Sequence, residues 1–263
     1  MGVAKSLSKL LKLLYVGTMM SRLHASSYVV SCLSTVLWFL VIFLPVTAFS
    51  PSPEKAFRVF LPGVFAMGAA ALGMWVATEF TRWFVYQGLT DFFRECGLGV
   101  IHYLVSAIHI DLGVSNVATF LASAAAISVA ITGGLGLVAP VNPWLFALAI
   151  ALSAPPYLLC GAIAAYMYCK TSISGTWTNI FQMLLIVGTV LPPSVLPSPY
   201  IALINPASIV AEVMRAAYGY SFIPLNVLEW LAPLVATVEL VLAAIIARLA
   251  DLEIAKRGLE YRV

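Results

Sequence analysis

Between Leu112 and Cys169 the chain carries no Asp, Glu, Lys or Arg. A helix needs about 20 apolar residues to cross a hydrocarbon layer of about 30 Å, so this run has length for two crossings. Its one break is GLVAPVNPW, residues 136–144, where glycine and two prolines end a helix and begin another. Spans are therefore expected at about 114–138 and 143–168, with a kink in the second at Pro155-Pro156. The rest of the chain agrees in character. It is 62% hydrophobic and only 10% charged, with a mean hydropathy of +1.01, where an average soluble domain is about 25% charged. An all-α polytopic membrane protein with one transmembrane domain over residues 1–263 is expected. The net charge of +3 comes from scattered loop lysines and arginines and gives no reason to expect nucleic acid as a partner.

Four more spans follow from the same arithmetic, at about 28–49, 57–78, 179–196 and 227–247. Ahead of them, residues 3–17 place Val3, Leu7, Leu10 and Leu14 on one helical face and Lys5, Lys9 and Lys12 on the other. That pattern predicts an interfacial helix with its lysines toward anionic lipid. The lysine–leucine alternation lacks the compact apolar core of a cleaved signal peptide. Between spans 2 and 3 lies GLGVIHYLVSAIHID, 97–111, which reads as a short surface helix. Leu98, Ile101, Leu104, Val105 and Ile108 share one face of it; His102, Ser106 and His109 share the other. His102 and His109 stand two turns apart, too wide for simple chelation even with Asp111 nearby, so no metal site is expected.

The stretch from Thr178 to Arg215 is the most irregular. It opens as a span and then meets Pro192, Pro193, Pro197 and Pro199, each of which removes a backbone donor and clashes with the preceding turn. Beyond them come Ile201–Ile204, Asn205-Pro206, and the charges Glu212 and Arg215. The stretch is too apolar for a solvated loop. It reads as a helix that breaks and re-enters as short half-helices over about 198–219, tolerated at membrane depth only where protein or a water-filled cavity satisfies the freed backbone. Glu212 and Arg215, at i and i+3, are placed to pair locally or to act at an outer gate. Glu239 is the acid deep within a span. Such groups are costly there, and either a structural hydrogen bond or a transport role would account for it.

With six spans, eleven of the 14 lysines and arginines fall on one side and three on the other. The positive-inside rule then puts both termini in the cytoplasm and the proline-broken stretch at the outer face. Chemistry is sparse. No G-x-x-x-x-G-K-[ST] loop is present to cradle ATP phosphates, and no H-E-x-x-H. Cys32, Cys96, Cys160 and Cys169 show neither zinc nor disulfide spacing. No histidine lies in an apolar span to activate Ser172 or Ser174. The six tryptophans mostly fall near span ends, as in an interfacial belt. No catalytic residue is assigned and no enzymatic activity is expected of this chain.

In order and sidedness these parts resemble the ABC-2 type permeases, the membrane subunits of ABC exporters. Arg94-Glu95-Cys96-Gly97-Leu98 resembles the family's R-E-x-G-[TS]-[LI] entry into its coupling helix, with Leu98 where Thr or Ser is usual. Pro192-Pro193-Ser194-Val195-Leu196-Pro197, then Asn205-Pro206 and Arg215, resembles its P-x-S-x-[LF]-P … N-P … R run, and Lys256-Arg257-Gly258 its cytoplasmic ending. The resemblance implies a coupling helix over about 97–110, docking on an ATPase through Glu95, Gly97, Leu98, Ile101, Leu104, Val105 and Ile108. It implies an outer re-entrant segment with Pro193, Pro197, Asn205, Pro206, Glu212 and Arg215. It further implies two copies of an ABC ATP-binding subunit holding ATP and Mg, no cofactor in this chain, and a dimer with itself or a homologous permease in the cell membrane. An amphipathic or lipid-like cargo (drug, antibiotic, lipid or glycan) suits spans lined with aromatic and small residues. A non-transporting anchor or assembly subunit and a secondary transporter are the alternative readings.

Overall fold

The computed structural model describes residues 2–23, 25–86, 95–171 and 174–257. They form helices throughout: α1 (Gly2–Leu23), α2 (Ala25–Ala48), α3 (Pro53–Tyr86), α4 (Val100–Ile110), a π-helical turn (Asp111–Asn116), α5 (Val117–Thr132), α6 (Pro143–Leu152), α7 (Ala154–Thr171), α8 (Ser174–Ile186), α9 (Ser208–Ala217) and α10 (Leu225–Arg257). Two short 3-10 turns, Pro193–Val195 and Pro199–Ile204, lie between α8 and α9. Among the described residues there is no β-strand, only an isolated bridge between Val187 and Leu191. Arg94 and Gly258 of the motifs above lie outside the described residues, as do the side chains of Val3, Lys5, Leu7 and Lys9.

Five stretches are long and apolar enough to cross a membrane: Ala25–Ala48, Pro53–Glu79, Val100–Thr132, Pro143–Thr171 and Leu225–Lys256. At the core α7 lies between α3 and α10. The approach of α3 to α7 is set by Gly73, where a Cβ would overlap the Tyr157 carbonyl oxygen. Only hydrogen fits between the two backbones there. α2 packs on α5 and α3 but leaves Val29, Leu33, Leu37, Trp38 and Val41 exposed, as does α10 with Trp230, Leu234, Val238, Val241 and Ile245. Contiguous apolar exposure on this scale is foreign to a water-facing surface and natural for a face turned to lipid.

Two expected boundaries are corrected. Residues 97–110 are not a separate surface helix. α4 runs through the π-helical turn straight into α5, so span 3 belongs to one helical rod, Val100–Thr132. It begins well before 114 and stops short of 138 at Gly133, in the left-handed conformation at φ 73°. The polar residues that argued against this find partners inside the protein, though among the described residues His109 Nδ1 has none. His109 Nε2 meets Thr18 Oγ1 of α1 at 2.8 Å, and His102 Nδ1 accepts the Gly99 N–H at 3.1 Å. Second, α8 ends at Ile186 rather than continuing to about 196. Its 13 residues rise only about 20 Å, less than a hydrocarbon layer, so among the described residues there is no sixth helix long enough to span. The span at 143–168 is one stretch, Pro143–Thr171, made of two helices that meet at Ser153, just ahead of Pro155-Pro156 where a kink is expected. Pro155 and Pro156 occupy the first turn of α7, where a missing N–H removes no intrahelical bond.

Candidate functional site

The helix ends sort into two groups by their contacts. At one end, Arg58 of α3 donates to the Tyr218 carbonyl at 3.2 Å, the Asn142 N–H donates to the Ala217 carbonyl at 2.9 Å, and the Tyr218 hydroxyl donates to the Val138 carbonyl at 2.9 Å. Around the Tyr218 ring stand Phe57, Phe120 and Phe146, with centroids 6.2–6.5 Å away. Burial pushes the Tyr218 phenol upward from its ordinary pKa, keeping it a hydrogen-bond donor. The irregular stretch from 187 to 207 folds onto this same end.

The stretch is held from within. α8 stops where Gly188 turns left-handed at φ 85°, a conformation that costs glycine little. That leaves the last carbonyls of α8 without helical partners. Asn205 supplies them, its Nδ2 donating to the Leu185 carbonyl at 2.8 Å and the Val187 carbonyl at 2.6 Å. Its Oδ1 accepts the Ala207 N–H at 3.0 Å, which sets the entry into α9. The Asn205-Pro206 pair is thus a remote cap on a helix that ended well before it in the chain.

α9 then buries one ion pair completely. Arg215 and Glu212 are both 0% exposed, with Nη1 to Oε1 at 2.6 Å. Arg215 Nε donates to the Val59 carbonyl of α3 at 2.9 Å, and Nη2 donates to the Thr189 carbonyl just past α8. Glu212 Oε2 accepts the N–H groups of Phe222 at 2.8 Å and Ile223 at 3.2 Å, in the loop that leads to α10. The Arg215 guanidinium also lies 5.6 Å from the centroid of the Phe222 ring. One pair therefore ties α3, the end of α8, α9 and the start of α10. α3 approaches this point closely because Gly63 has no side chain: a Cβ there would overlap the Thr189 carbonyl oxygen. Of the other expected residues here, Pro193 is buried at the first 3-10 turn, while Pro197 and Pro206 serve as punctuation.

A second polar locus lies inside the bundle. Asp111, at the first residue of the π-helical turn, is 1% exposed. The Tyr157 hydroxyl of α7 donates to its Oδ2 at 2.7 Å, and Tyr28 of α2 lies within electrostatic reach of it. Later in the same turn, Asn116 Nδ2 donates to the Phe65 carbonyl of α3 at 3.2 Å. Single π-helical turns recur at functional sites because they rotate side chains out of α-helical register. Glu239, on α10, is 4% exposed, and among the described residues neither carboxyl oxygen has a hydrogen-bond partner. It lies within electrostatic reach of Cys160 of α7, one turn from Tyr157. Two acids thus approach α7 from different neighbours, one hydrogen-bonded to a tyrosine and one, among the described residues, to no partner.

At the far end, the residues assigned to docking divide. Leu104 is fully buried beneath α7, and Ile101, Val105 and Ile108 pack against the core, so that apolar face is covered by the chain itself. The residues open to a partner are Glu95, Cys96 and Gly97, with Leu98 half-buried. This end is closed by Asp251 of α10, which accepts the Val100 N–H at 3.0 Å, and by Lys170 paired with Glu253 at 3.1 Å. Among the described residues no group of three or more His, Cys, Asp or Glu could hold a metal ion.

Fold and site together define an all-helical membrane protein with a broken, internally locked segment at one end of the bundle. No protein-family model, curated protein or solved structure matches the chain.

Proposed function

We propose that this chain is the membrane-spanning permease subunit of an ATP-driven exporter of the ABC-2 type, moving an amphipathic or lipid-like cargo outward. The observation that carries the reading is the segment between α8 and α10. It is apolar, broken by prolines, folded into the bundle rather than looped into water, and locked by the buried Glu212–Arg215 pair. A re-entrant element of this kind suits an outer gate, because one ion pair contacts α3, the end of α8 and the start of α10 together. α8 with the segment that follows it would make the sixth crossing. Both termini and the Asp251–Val100 end would face the cytoplasm, where Glu95, Gly97 and Leu98 are available to a separate ATPase. Closure of an ATPase dimer on ATP would press on that corner, and the continuous rod α4–α5 would carry the displacement through the membrane. Two such chains, or this one and a homologue, would enclose the pathway.

Co-expression with candidate ATPases from neighbouring genes, followed by extraction in mild detergent and co-purification, tests the reading. An ATPase retained by the native chain and lost with Glu95→Arg combined with Leu98→Asp supports it. Failure to retain any folded ATPase turns the assignment toward an anchor or a secondary transporter. Substitutions at Ile101 or Leu104 do not serve here, since they would disrupt the core before they reached a partner. The specific observation that favours secondary transport is the presence of two buried acids, Asp111 and Glu239, beside one helix.

A further inference from the structure

We propose that Glu239 is a proton-binding site built into the seam between α7 and α10, its carboxyl holding a proton in this conformation. The argument is one of missing partners. An ionised carboxylate removed from water needs a compensating charge or donors, and within a membrane span the requirement is stricter still. Glu239 is 4% exposed, and among the described residues both its oxygens lack a partner.

The neighbouring elements offer no compensation. On α7 the titratable group within range is Cys160, itself fully buried, which supplies no positive charge. α4 meets α10 at Val100 and Asp251, about 18 Å further along the helix. On α9, Glu212 and Arg215 satisfy each other. On α10 itself, Glu229 is exposed and of the same sign, and Arg248 is exposed more than two turns away. A metal cation is a poor fit, since hard cations take several oxygen ligands and Glu239 brings none but its own. The species that neutralises one isolated carboxylate without further ligands is the proton.

Asp111 is the internal contrast. It is buried as deeply, yet the Tyr157 hydroxyl donates to its carboxyl at 2.7 Å, with Tyr28 within electrostatic reach. Among the described residues Asp111 is thus a buried acid held by a donor, and Glu239 one without any. Proton uptake and release at Glu239 would require α7 and α10 to part, because among the described residues no polar group now hydrogen-bonds it. This inference does not depend on which energy source drives the protein.

The test is infrared spectroscopy on the full chain in lipid vesicles, comparing native protein with Glu239→Gln at about pH 7. A carbonyl stretch of a protonated carboxyl, present in the native chain and abolished in the variant, is the expected result. A carboxylate stretch lost in the variant, with no protonated band, overturns the proposal. If the variant does not accumulate, dicyclohexylcarbodiimide on the native chain decides. The protonated carboxyl adds its O–H across a C=N bond and the acyl group shifts to nitrogen, with no leaving group. Mass mapping is expected to find the adduct on Glu239. An adduct on Asp111 with Glu239 unmodified overturns the assignment.

Discussion

Asp251 accepts the backbone N–H of Val100 at 3.0 Å, so a residue near the end of the last described helix caps a helix that starts 151 positions earlier. The gap between them admits nothing larger than glycine, since a Cβ on Gly99 would overlap the Asp251 carboxylate. Removing a helix cap costs about 0.5–2 kcal/mol. Asp251→Ala is expected to lower the midpoint of thermal unfolding in detergent, with Asp251→Asn losing less because its amide oxygen still accepts. Gly99→Ala is expected to destabilise comparably by steric displacement of the same cap.

Breaking the Glu212–Arg215 pair on one side leaves a buried charge without its partner, which costs about 3–5 kcal/mol. Arg215→Met and Glu212→Gln are each expected to reduce the yield of folded protein sharply. The double variant is expected to fall well short of the sum of the two, because residues sharing one network are not additive. Chemical denaturation in detergent, carried through the four members of the cycle, measures the difference. Additive losses would mean that the backbone contacts to Val59, Thr189, Phe222 and Ile223 matter more than the pair itself.

Asn205→Ala removes an amide donor from the Leu185 and Val187 carbonyls; the Thr189 hydroxyl still serves Leu185 and Val187 is exposed, so a loss of about 0.5–1.5 kcal/mol per hydrogen bond is expected. The end of α8 is expected to exchange its amide hydrogens faster, with α3 and α7 unchanged. Asn205→Asp is expected to behave like the alanine variant, since a carboxylate cannot donate. Hydrogen exchange resolved by peptide separates this local opening from global destabilisation.

Tyr157→Phe takes a hydroxyl from Asp111 while leaving the packing of the ring in place. A loss of about 1–3 kcal/mol is expected. Adding Asp111→Asn is expected to recover part of it, because the charge that needed the donor is gone. Thermal stability of the two variants checks this.

Cys96 is exposed, while Cys160 is buried and Cys32 and Cys169 are partly so. In intact cells a membrane-impermeant thiol reagent is expected to miss Cys96. It is expected to label the Ser52→Cys variant, since Ser52, in the turn between α2 and α3, is also exposed. In inverted vesicles the pattern is expected to reverse. Labelling of Cys96 from outside would invert the proposed orientation.

Much of the scaffold was legible from composition and punctuation. The long uncharged runs marked four of the five long helices, although two of them run on past the apolar part, to Tyr86 and Arg257, and GLVAPVNPW marked a break. The exception was the rod from Val100 to Thr132. His102, His109 and Asp111 look too polar for a buried helix when read along the chain. In the fold Thr18, the Gly99 N–H, Tyr157 and Tyr28 meet them. Nothing at those positions announces the pairing, because a partner distant in sequence has no fixed spacing. For the same reason Asp111 reads along the chain as part of a surface helix rather than as a second buried acid. The face of Ile101, Leu104, Val105 and Ile108 is apolar, as read, but the chain's own core covers it; apolarity alone does not say which surface will do so.

That this chain is helical, that it belongs in a bilayer, and where prolines and glycines forbid a helix to continue are all written in its residues. Those are local properties: hydropathy over a window, a missing N–H, a turn that needs positive φ. Packing alone dictates that α8 stops before its prolines, that Asn205 caps it, that Arg215 reaches Val59 and Thr189 as well as Glu212, and that Asp111 has a donor where Glu239, among the described residues, has none. Each of these is a hydrogen bond, or its absence, between segments far apart in the chain, and its geometry is fixed only when the helices have come together.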